Sequence, residues 1–235
     1  MNMLEIESLE CGYGKLSVLR GVTLRVGGES VGLFGPNGAG KTTLIGAIMG
    51  MVRVRGGSLR FQGRDIAGLK TYEAARAGIA LVPQERELFP GMSVADNLEL
   101  GAAYVPGARE KAGRQLELVF GLFPALKERY RQIAGTMSGG QQRQVAIGRA
   151  LMASPRLLIL DEPSLGLQPS IVAEVFEKLA ELKKTLSILV TEQNVRESLR
   201  SVDRGYVLEN GSIVLEGAAE DLKGNPHVLA SYLGL

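Results

Sequence analysis

The sequence predicts an α/β fold with a mainly parallel central sheet. Short apolar runs closed by polar residues, glycine or proline are typical of strands buried on both faces; they occupy residues 31–34, 79–82, 157–160 and 188–191. Helical patterns separate these runs, and such alternation favours right-handed crossovers between parallel strands. A glycine-rich loop between the first run and a helical pattern is the third observation, and it indicates a phosphate-binding core.

Apolar residues at helical spacing predict helices over residues 116–123 and, behind Pro169, over residues 172–182. Residues 85–137 contain helical patterns and no convincing strand, so we expect a helical insertion in the α/β core. The chain is therefore interpreted as one domain over residues 1–235. Its expected parts are the α/β core with an antiparallel β part (1–84 and 157–235) and a helical subdomain (85–156).

Both ends of the chain alternate polar and apolar residues, which is typical of antiparallel strands. At the N-terminal end this pattern covers residues 3–9, 22–26 and 58–62. Gly27-Gly28 and Gly56-Gly57 are interpreted as breaks between these strands. Near the C-terminus, residues 206–208 and 213–215 flank Glu209-Asn210-Gly211, and Asn-Gly is a strong hairpin signal.

Charge and composition exclude several classes of protein. Lys and Arg number 27 against 25 Asp and Glu, a formal net charge of +2, which is too near balance for a broad surface that binds nucleic-acid phosphates. We therefore expect no nucleic-acid partner. The single cysteine, Cys11, cannot form an internal disulfide, so the chain needs no oxidising compartment and we expect a cytoplasmic location. The first ten residues lack a signal-peptide pattern, and no apolar run approaches the ~18 residues that span a membrane.

Residues 35–42 read Gly-Pro-Asn-Gly-Ala-Gly-Lys-Thr and satisfy G-x-x-x-x-G-K-[ST] between a predicted strand and a predicted helix. The glycines let backbone N–H groups face a triphosphate, with the helix dipole behind them. Lys41 would reach the β- and γ-phosphates, and the Thr42 hydroxyl would coordinate Mg²⁺. The ATP-binding residues predicted in this segment are Gly35, Pro36, Asn37, Gly38, Ala39, Gly40, Lys41, Thr42 and Thr43.

Asp161 and Glu162 follow the apolar run 157–160, at the sheet edge where ligands of α/β proteins bind. Asp161 would hold Mg²⁺ through water, and Glu162 would accept a proton from the attacking water. An acidic turn that caps the next helix is the alternative, and the presence of the Lys41 loop argues against it.

Ser138 and Gln141 form a capping-box pattern at the start of a predicted helix. Gly139 and Gly140 cost helix stability there but expose N–H groups to an anion. With the phosphate loop before it and Asp161-Glu162-Pro163 after it, Ser-Gly-Gly-Gln-Gln resembles the signature of ABC-type ATPases, the nucleotide-binding subunits of ATP-binding cassette transporters. The resemblance covers nearly the whole chain and implies that Ser138, Gly139, Gly140 and Gln141 bind ATP.

The resemblance implies further roles. Tyr13 matches the aromatic residue that stacks on adenine, with a partly buried strand tyrosine as the alternative. Gln84 matches the catalytic glutamine that touches Mg²⁺ and water, with an exposed loop amide as the alternative. Residues 164–168 match the loop that contacts the other monomer. Gln193 stands where the family usually has a histidine, and we expect it to sense the γ-phosphate; His227 is interpreted as an exposed tail residue.

The resemblance also implies a working form. ABC-type ATPases act as head-to-tail dimers, in which the phosphate loop of one subunit and the Ser138 helix of the other sandwich each ATP. The implied partners are a second copy or a related ABC ATPase, two membrane permease subunits and, indirectly, an extracytoplasmic solute-binding protein. The implied location is the cytoplasmic face of a bacterial or archaeal inner membrane, and ATP and Mg²⁺ are the implied cofactors. The apolar loop 88–92 either contacts the membrane partner or packs into the helical lobe.

Three segments are similar to the LivF-type ATPase of branched-chain amino acid importers: residues 164–167 before Pro169, Glu192-Gln193-Asn194, and the ending Ser231-Tyr232-Leu233-Gly234. We therefore expect an ATPase that energises uptake of branched-chain or related amino acids. Urea and short-chain amide importers use closely similar subunits, and a soluble ABC ATPase such as an iron–sulfur assembly factor also fits the chain length. A regulator without turnover would suit Gln193, but Glu162 argues against it.

Overall fold

A six-stranded sheet forms the centre of the computed structural model, which describes the backbone of residues 3–233 and the side chains of residues 3–231. In chain order the strands are β1 (Leu4–Tyr13), β2 (Leu16–Val26), β3 (Ser30–Phe34), β4 (Val54–Phe61), β5 (Arg64–Asp65), β6 (Ile79–Val82), β7 (Leu157–Asp161), β8 (Ser187–Glu192), β9 (Arg204–Glu209) and β10 (Ser212–Ala218). The α-helices are α1 (Lys41–Ile48), α2 (Thr71–Ala77), α3 (Val94–Ala103), α4 (Ala108–Leu122), α5 (Pro124–Glu128), α6 (Gly139–Met152), α7 (Pro169–Leu182), α8 (Val195–Ser198), α9 (Ala219–Lys223) and α10 (Pro226–Val228). Gly234, the last residue of the LivF-like ending, lies outside the described residues.

The central sheet has the strand order β10-β9-β3-β8-β7-β6, and every neighbouring pair except β10–β9 is parallel. All residues of β3, β7 and β8 are buried because both faces of the sheet are covered. The predicted α/β fold with a mainly parallel sheet is confirmed. The hairpin expected at Asn210-Gly211 is also present, with φ of 48° and 82° at these residues, and it extends the edge of this sheet.

A second, antiparallel sheet has the order β2-β1-β4-β5, as the N-terminal alternation predicts. Two details of the prediction are wrong. Strand β2 begins at Leu16 rather than at residue 22, and Gly56-Gly57 lie inside β4 rather than between strands. The register of β1 against β4 shifts between Glu7 and Glu10, and Gly57 sits at this bulge with φ +80°, where a Cβ would lie 2.3 Å from the Ser8 carbonyl oxygen. The glycine therefore accommodates a bulge and does not end the strand.

Two hydrophobic clusters sandwich the central sheet. One contains Phe34, Leu158 and Leu160 of the sheet together with residues of α3, α4, α6 and α7. The other joins Leu33 and Ile159 to α1 and the antiparallel sheet. Residues 83–156 hold helices and, among the described residues, no strand beyond an isolated bridge between Ser93 and Ile133.

The carboxyl ends of β3, β6, β7 and β8 lie along one edge of the sheet, so the loops that follow them emerge side by side. Within residues 3–233, no helix has the length and apolar character needed to cross a membrane.

Candidate nucleotide site

The loop between β3 and α1 depends on glycine at two positions. Gly35 packs so tightly that a Cβ would lie 2.2 Å from the carbonyl oxygen of Leu208. Gly40 has φ +113°, and a Cβ there would lie 2.6 Å from Leu19 Cδ2. The loop thus leads directly into α1, whose first N–H groups lack intrahelical partners and suit an anion.

Lys41, the first residue of α1, connects this loop to the end of β7. Its ammonium group is nearly buried and donates to the carbonyl oxygens of Gly35 at 2.7 Å and Pro36 at 3.1 Å. Its Nζ also lies 3.0 Å from Glu162 Oε1. The structure therefore brings the lysine loop and the predicted catalytic carboxylate into one site.

Asp161, the last residue of β7, accepts a 2.6 Å hydrogen bond from the Thr191 hydroxyl of β8. Burial raises the pKa of Asp161, while hydrogen bonds from Thr191 and Thr42 act in the opposite direction. The Thr42 hydroxyl and the Asp161 carboxylate thus lie together, as the sequence predicts. Thr191 belongs to none of the predicted motifs, and only its position in the apolar run 188–191 marks it in the sequence.

These oxygen donors fit Mg²⁺. A hydroxyl and one carboxylate, completed by nucleotide phosphates, are a typical donor set for this ion, which is seldom held by protein ligands alone. The described part of the chain contains no group of three or more His, Cys, Asp or Glu side chains that could hold a metal by itself. A metal at Asp161 and Thr42 would therefore depend on a bound nucleotide.

Gln84 lies two residues after the end of β6, behind Pro83, and is half-buried. The backbone carbonyl oxygen of Gln84 accepts a 2.8 Å hydrogen bond from the Arg143 guanidinium, which also donates to the backbone carbonyl of Pro83 at 2.9 Å. Arg143 is a buried residue of α6 that the sequence motifs do not include. Burial lowers its pKa, whereas Glu192 and Asp161, among nearby carboxylates, act to raise it. The helix that begins after Ser138 is thereby tied to the Gln84 loop.

Ser138 and Gln141 form the predicted capping box at the start of α6. The Ser138 hydroxyl accepts from the Gln141 N–H at 3.3 Å, and Gln141 Oε1 accepts from the Ser138 N–H at 3.1 Å. Gly140 packs against α7, where a Cβ would lie 2.7 Å from Ile171. Within residues 3–231 no hydrogen bond joins this segment to the phosphate loop, so the structure does not bring these two predicted parts of the site together in one chain.

Tyr13 and Gln193 are both exposed. Tyr13 ends β1, and its side chain is 53% exposed between Gly12 and Gly14. Gln193 follows β8 at the same sheet edge as Asp161. His227 is exposed on α10, as the sequence interpretation expects, and its Nε2 lies 2.8 Å from Glu209 Oε1.

The sequence profile of the ABC transporter family matches residues 19–165, more than half of the chain. This chain belongs to the ABC transporter family. Among curated relatives, the high-affinity branched-chain amino acid transport ATP-binding protein BraG of Pseudomonas aeruginosa is 43% identical, covering 99% of this chain and 100% of BraG. A probable LivF of Archaeoglobus fulgidus is 32% identical over 94% of both chains. The lipopolysaccharide export ATP-binding protein LptB of Acidithiobacillus ferridurans is 38% identical, covering 99% of this chain and 97% of LptB.

A solved structure also matches the chain as an ATP-binding cassette. The ADP conformation of MJ1267, an ATP-binding cassette of an ABC transporter, matches with a TM-score of 0.85 and 30% identity over 100% of both chains. The protein is thus an ATP-binding, ATP-hydrolysing subunit of an ABC transporter. Its relatives include both amino acid transport and lipopolysaccharide export proteins, so the family alone does not name the solute.

Proposed function

We propose that this protein energises an importer of branched-chain or related amino acids. The observation that carries the proposal is the 43% identity to BraG over essentially the full length of both chains. The Glu192-Gln193-Asn194 segment, similar to LivF-type subunits, also supports it. Lipopolysaccharide export is the second candidate because the LptB of A. ferridurans is 38% identical over nearly the full length.

Solute uptake distinguishes these candidates. In a strain that lacks this gene, uptake of radiolabelled leucine should fall and should be restored by the wild-type gene but not by Glu162→Gln. Urea uptake serves as the comparison for the amide-importer alternative. A strain that takes up leucine normally but accumulates unexported lipopolysaccharide would show that the import proposal is wrong.

We propose the hydrolytic roles from the sequence motifs, and the contacts of Lys41, Glu162 and Asp161 support them. Glu162 is the general base, Lys41 binds the β- and γ-phosphates, and Thr42, Asp161 and Gln84 would hold Mg²⁺. The ion, when bound with ATP, would neutralise charge on the phosphates. In the structure the Glu162 carboxylate is 3.0 Å from the Lys41 ammonium. Phosphate oxygens that take the ammonium would leave this carboxylate free to accept a proton from water.

The remaining groups of the site come from the surface of the subunit and from a second subunit. Tyr13 presents an open ring face for adenine, and Gln193 can donate to the γ-phosphate through its amide. Ser138, Gly139, Gly140 and Gln141 serve the ATP of the facing copy, or of a related ABC ATPase. This arrangement explains why they make no hydrogen bond to their own phosphate loop.

Replacing Glu162 with Gln tests the assignment of the base. Turnover should fall by about 10² to 10⁴ because the proton acceptor is lost, whereas ATP binding should survive. A dimer closed on ATP should then accumulate in size-exclusion chromatography. Glu177→Gln, which changes an exposed carboxylate of α7, is the matched control. Wild-type turnover in Glu162→Gln would remove Glu162 from the mechanism.

We place the contact with a membrane permease at the loop before α3. Phe89 is 51% exposed, whereas its neighbour Leu88 packs against the core. The buried Asn97 fixes the loop, since its Oδ1 accepts from Phe89 N–H at 3.0 Å and its Nδ2 donates to the Phe89 carbonyl at 3.1 Å. Phe89→Cys should crosslink to a permease loop, and Tyr72→Cys, equally exposed on α2, should not. Equal crosslinking of the two variants would show that Phe89 is not a specific contact with the permease.

A further inference from the structure

Glu192 is a buried carboxylate that none of the roles above uses. It is the last residue of β8 and is 2% exposed. Its Oε1 accepts from the Ser164 N–H at 2.8 Å, and its Oε2 accepts from the Ser164 hydroxyl at 2.8 Å. Ser164 is two residues beyond Glu162 and begins the loop that matches the contact with the second monomer. One side chain therefore holds both donors at the start of this loop.

The turn between these residues is strained. Glu162 has φ +44°, in the left-handed region that non-glycine residues rarely adopt. Such a conformation persists only where surrounding contacts fix it. Before the turn, the Glu162 N–H donates to the Thr191 carbonyl at 3.1 Å and to its hydroxyl at 3.2 Å. After the turn, Glu192 fixes Ser164, so two successive residues of β8 hold the turn from both sides.

A carboxylate at position 192 is costly for a purely structural anchor. Burial raises the pKa of Glu192, the Ser164 hydrogen bonds lower it, and the nearby charge of Glu162 raises it further. A glutamine of the same shape would avoid this repulsion, but it has one acceptor oxygen, whereas the two Ser164 donors bond two different oxygens of Glu192. The carboxylate accepts both Ser164 donors at once, which orients the hydroxyl as well as the backbone.

We propose that Glu192 is a positioning residue for ATP hydrolysis, which holds Ser164 and thereby fixes Glu162 and the 164–168 loop in their working orientation. The inference rests on the proposed role of Glu162 as the base. It requires that loss of Glu192 slows the chemical step while ATP still binds, because Glu192 makes no contact with the phosphate loop among the hydrogen bonds of residues 3–231.

The test compares Glu192→Ala, Glu192→Gln and Ser164→Ala by steady-state hydrolysis, in the purified subunit or in the transporter reconstituted with its permease. In Glu192→Ala, kcat should fall by about 10², the usual effect of misplacing a catalytic group by about an ångström, while KM and the Kd for ATP stay within about threefold. Glu192→Gln should recover much of the rate because it keeps a bond to the Ser164 N–H. Glu197→Ala, which removes a carboxylate paired with Arg200 on the surface, is the matched control and should leave kcat unchanged.

Thermal unfolding shows whether Glu192→Ala folds. If it does not, Ser164→Ala tests the proposal in its place. A folded Ser164→Ala with reduced kcat supports the proposal, and Ser164→Ala combined with Glu192→Ala should be no slower than Glu192→Ala alone. Wild-type kcat in Glu192→Ala, or in Ser164→Ala where the former is unfolded, would overturn it. Failure of the base assignment is seen separately, as an active Glu162→Gln.

Discussion

The ion pair between Lys41 and Glu162 predicts a measurable coupling in the nucleotide-free protein. The two side chains are only 4% and 9% exposed, and Nζ lies 3.0 Å from Oε1. Lys41→Met leaves the Glu162 carboxylate without its cation, and removing one partner of a buried pair costs about 3–5 kcal/mol. Glu162→Gln costs less, about 1–2 kcal/mol, because the Lys41 ammonium keeps the carbonyl oxygens of Gly35 and Pro36.

The double variant contains neither charge, so its loss of unfolding free energy should be smaller than the sum of the two single losses by about 2 kcal/mol. Urea unfolding of the nucleotide-free variants, followed by circular dichroism, measures this difference. The exposed pair Lys178–Glu181 is the control cycle, with a coupling below about 0.5 kcal/mol. Additivity within about 0.5 kcal/mol at Lys41 and Glu162 would refute the claim that this ion pair stabilises the folded protein.

The same pair connects stability to binding. In the mechanism that we propose, ATP takes the Lys41 ammonium, so binding breaks the contact of Lys41 with Glu162. Glu162→Gln weakens this competing contact, so it should bind ATP more tightly than the wild type. A fluorescent ATP analogue measures the Kd of both proteins, and a weaker Kd in Glu162→Gln would show that Lys41 does not exchange partners on binding.

Three further predictions concern the dimer, the histidine replacement and pH. Lys41→Ala and Ser138→Arg subunits, each inactive alone, should regain about one working site per mixed dimer, and no recovery of phosphate release by folded, dimeric mixtures would exclude a shared site. Gln193→Ala should lose most turnover while binding ATP, whereas Gln193→His should retain much of it; an unimpaired Gln193→Ala would contradict its role. Since burial raises the pKa of Asp161, the folded protein holds this proton more tightly than the unfolded chain, and stability from the group is lost as pH rises through the folded pKa. Nucleotide-free Asp161→Asn should therefore unfold at a higher temperature than the wild type at pH 8, by a margin that shrinks toward pH 4, and a constant margin would contradict this.

The elements predicted best are those whose own sequence pattern is enough to identify them, whatever element packs beside them. Strand β6 covers residues 79–82 as predicted, and β3, β7 and β8 differ from the apolar runs only at their ends. A strand buried on both faces must be apolar throughout, so its pattern does not depend on which strand lies beside it. The hairpin at Asn210-Gly211 is equally local, because the turn requires positive φ at both residues.

Where a residue's role depends on partners far away in sequence, the sequence predictions missed it or were wrong. Gly57 reads as a strand break, but the bulge it occupies exists only because β1 lies opposite with a shifted register. Arg143 is recognised as important only through its hydrogen bonds to the carbonyl groups of residues 83 and 84. Glu192 is recognised through its hydrogen bonds to Ser164, 28 residues away in sequence. No spacing rule joins such positions, so only the fold reveals them. The motif residues Lys41 and Glu162, in contrast, could be paired from sequence because both follow strands that end at one edge.

The buried charges of this edge explain why the site is built to receive a nucleotide. Among the described residues, the buried charged side chains are the carboxylates Asp161, Glu162 and Glu192 and the cations Lys41 and Arg143. The carboxylates exceed the cations by one. The Arg143 guanidinium already donates to the backbone carbonyl groups of Pro83 and Gln84. Lys41 is thus the one buried cation of the described chain that can turn to a phosphate, and when it does so Glu162 loses its partner. A triphosphate would add negative charge to this excess, and the N–H groups at the start of α1 that lack intrahelical partners, together with a cation at Asp161, would balance it. The structure therefore holds Glu162, the base that we propose, in an ion pair with Lys41, and an anion that replaces this carboxylate at Lys41 would release it to accept a proton.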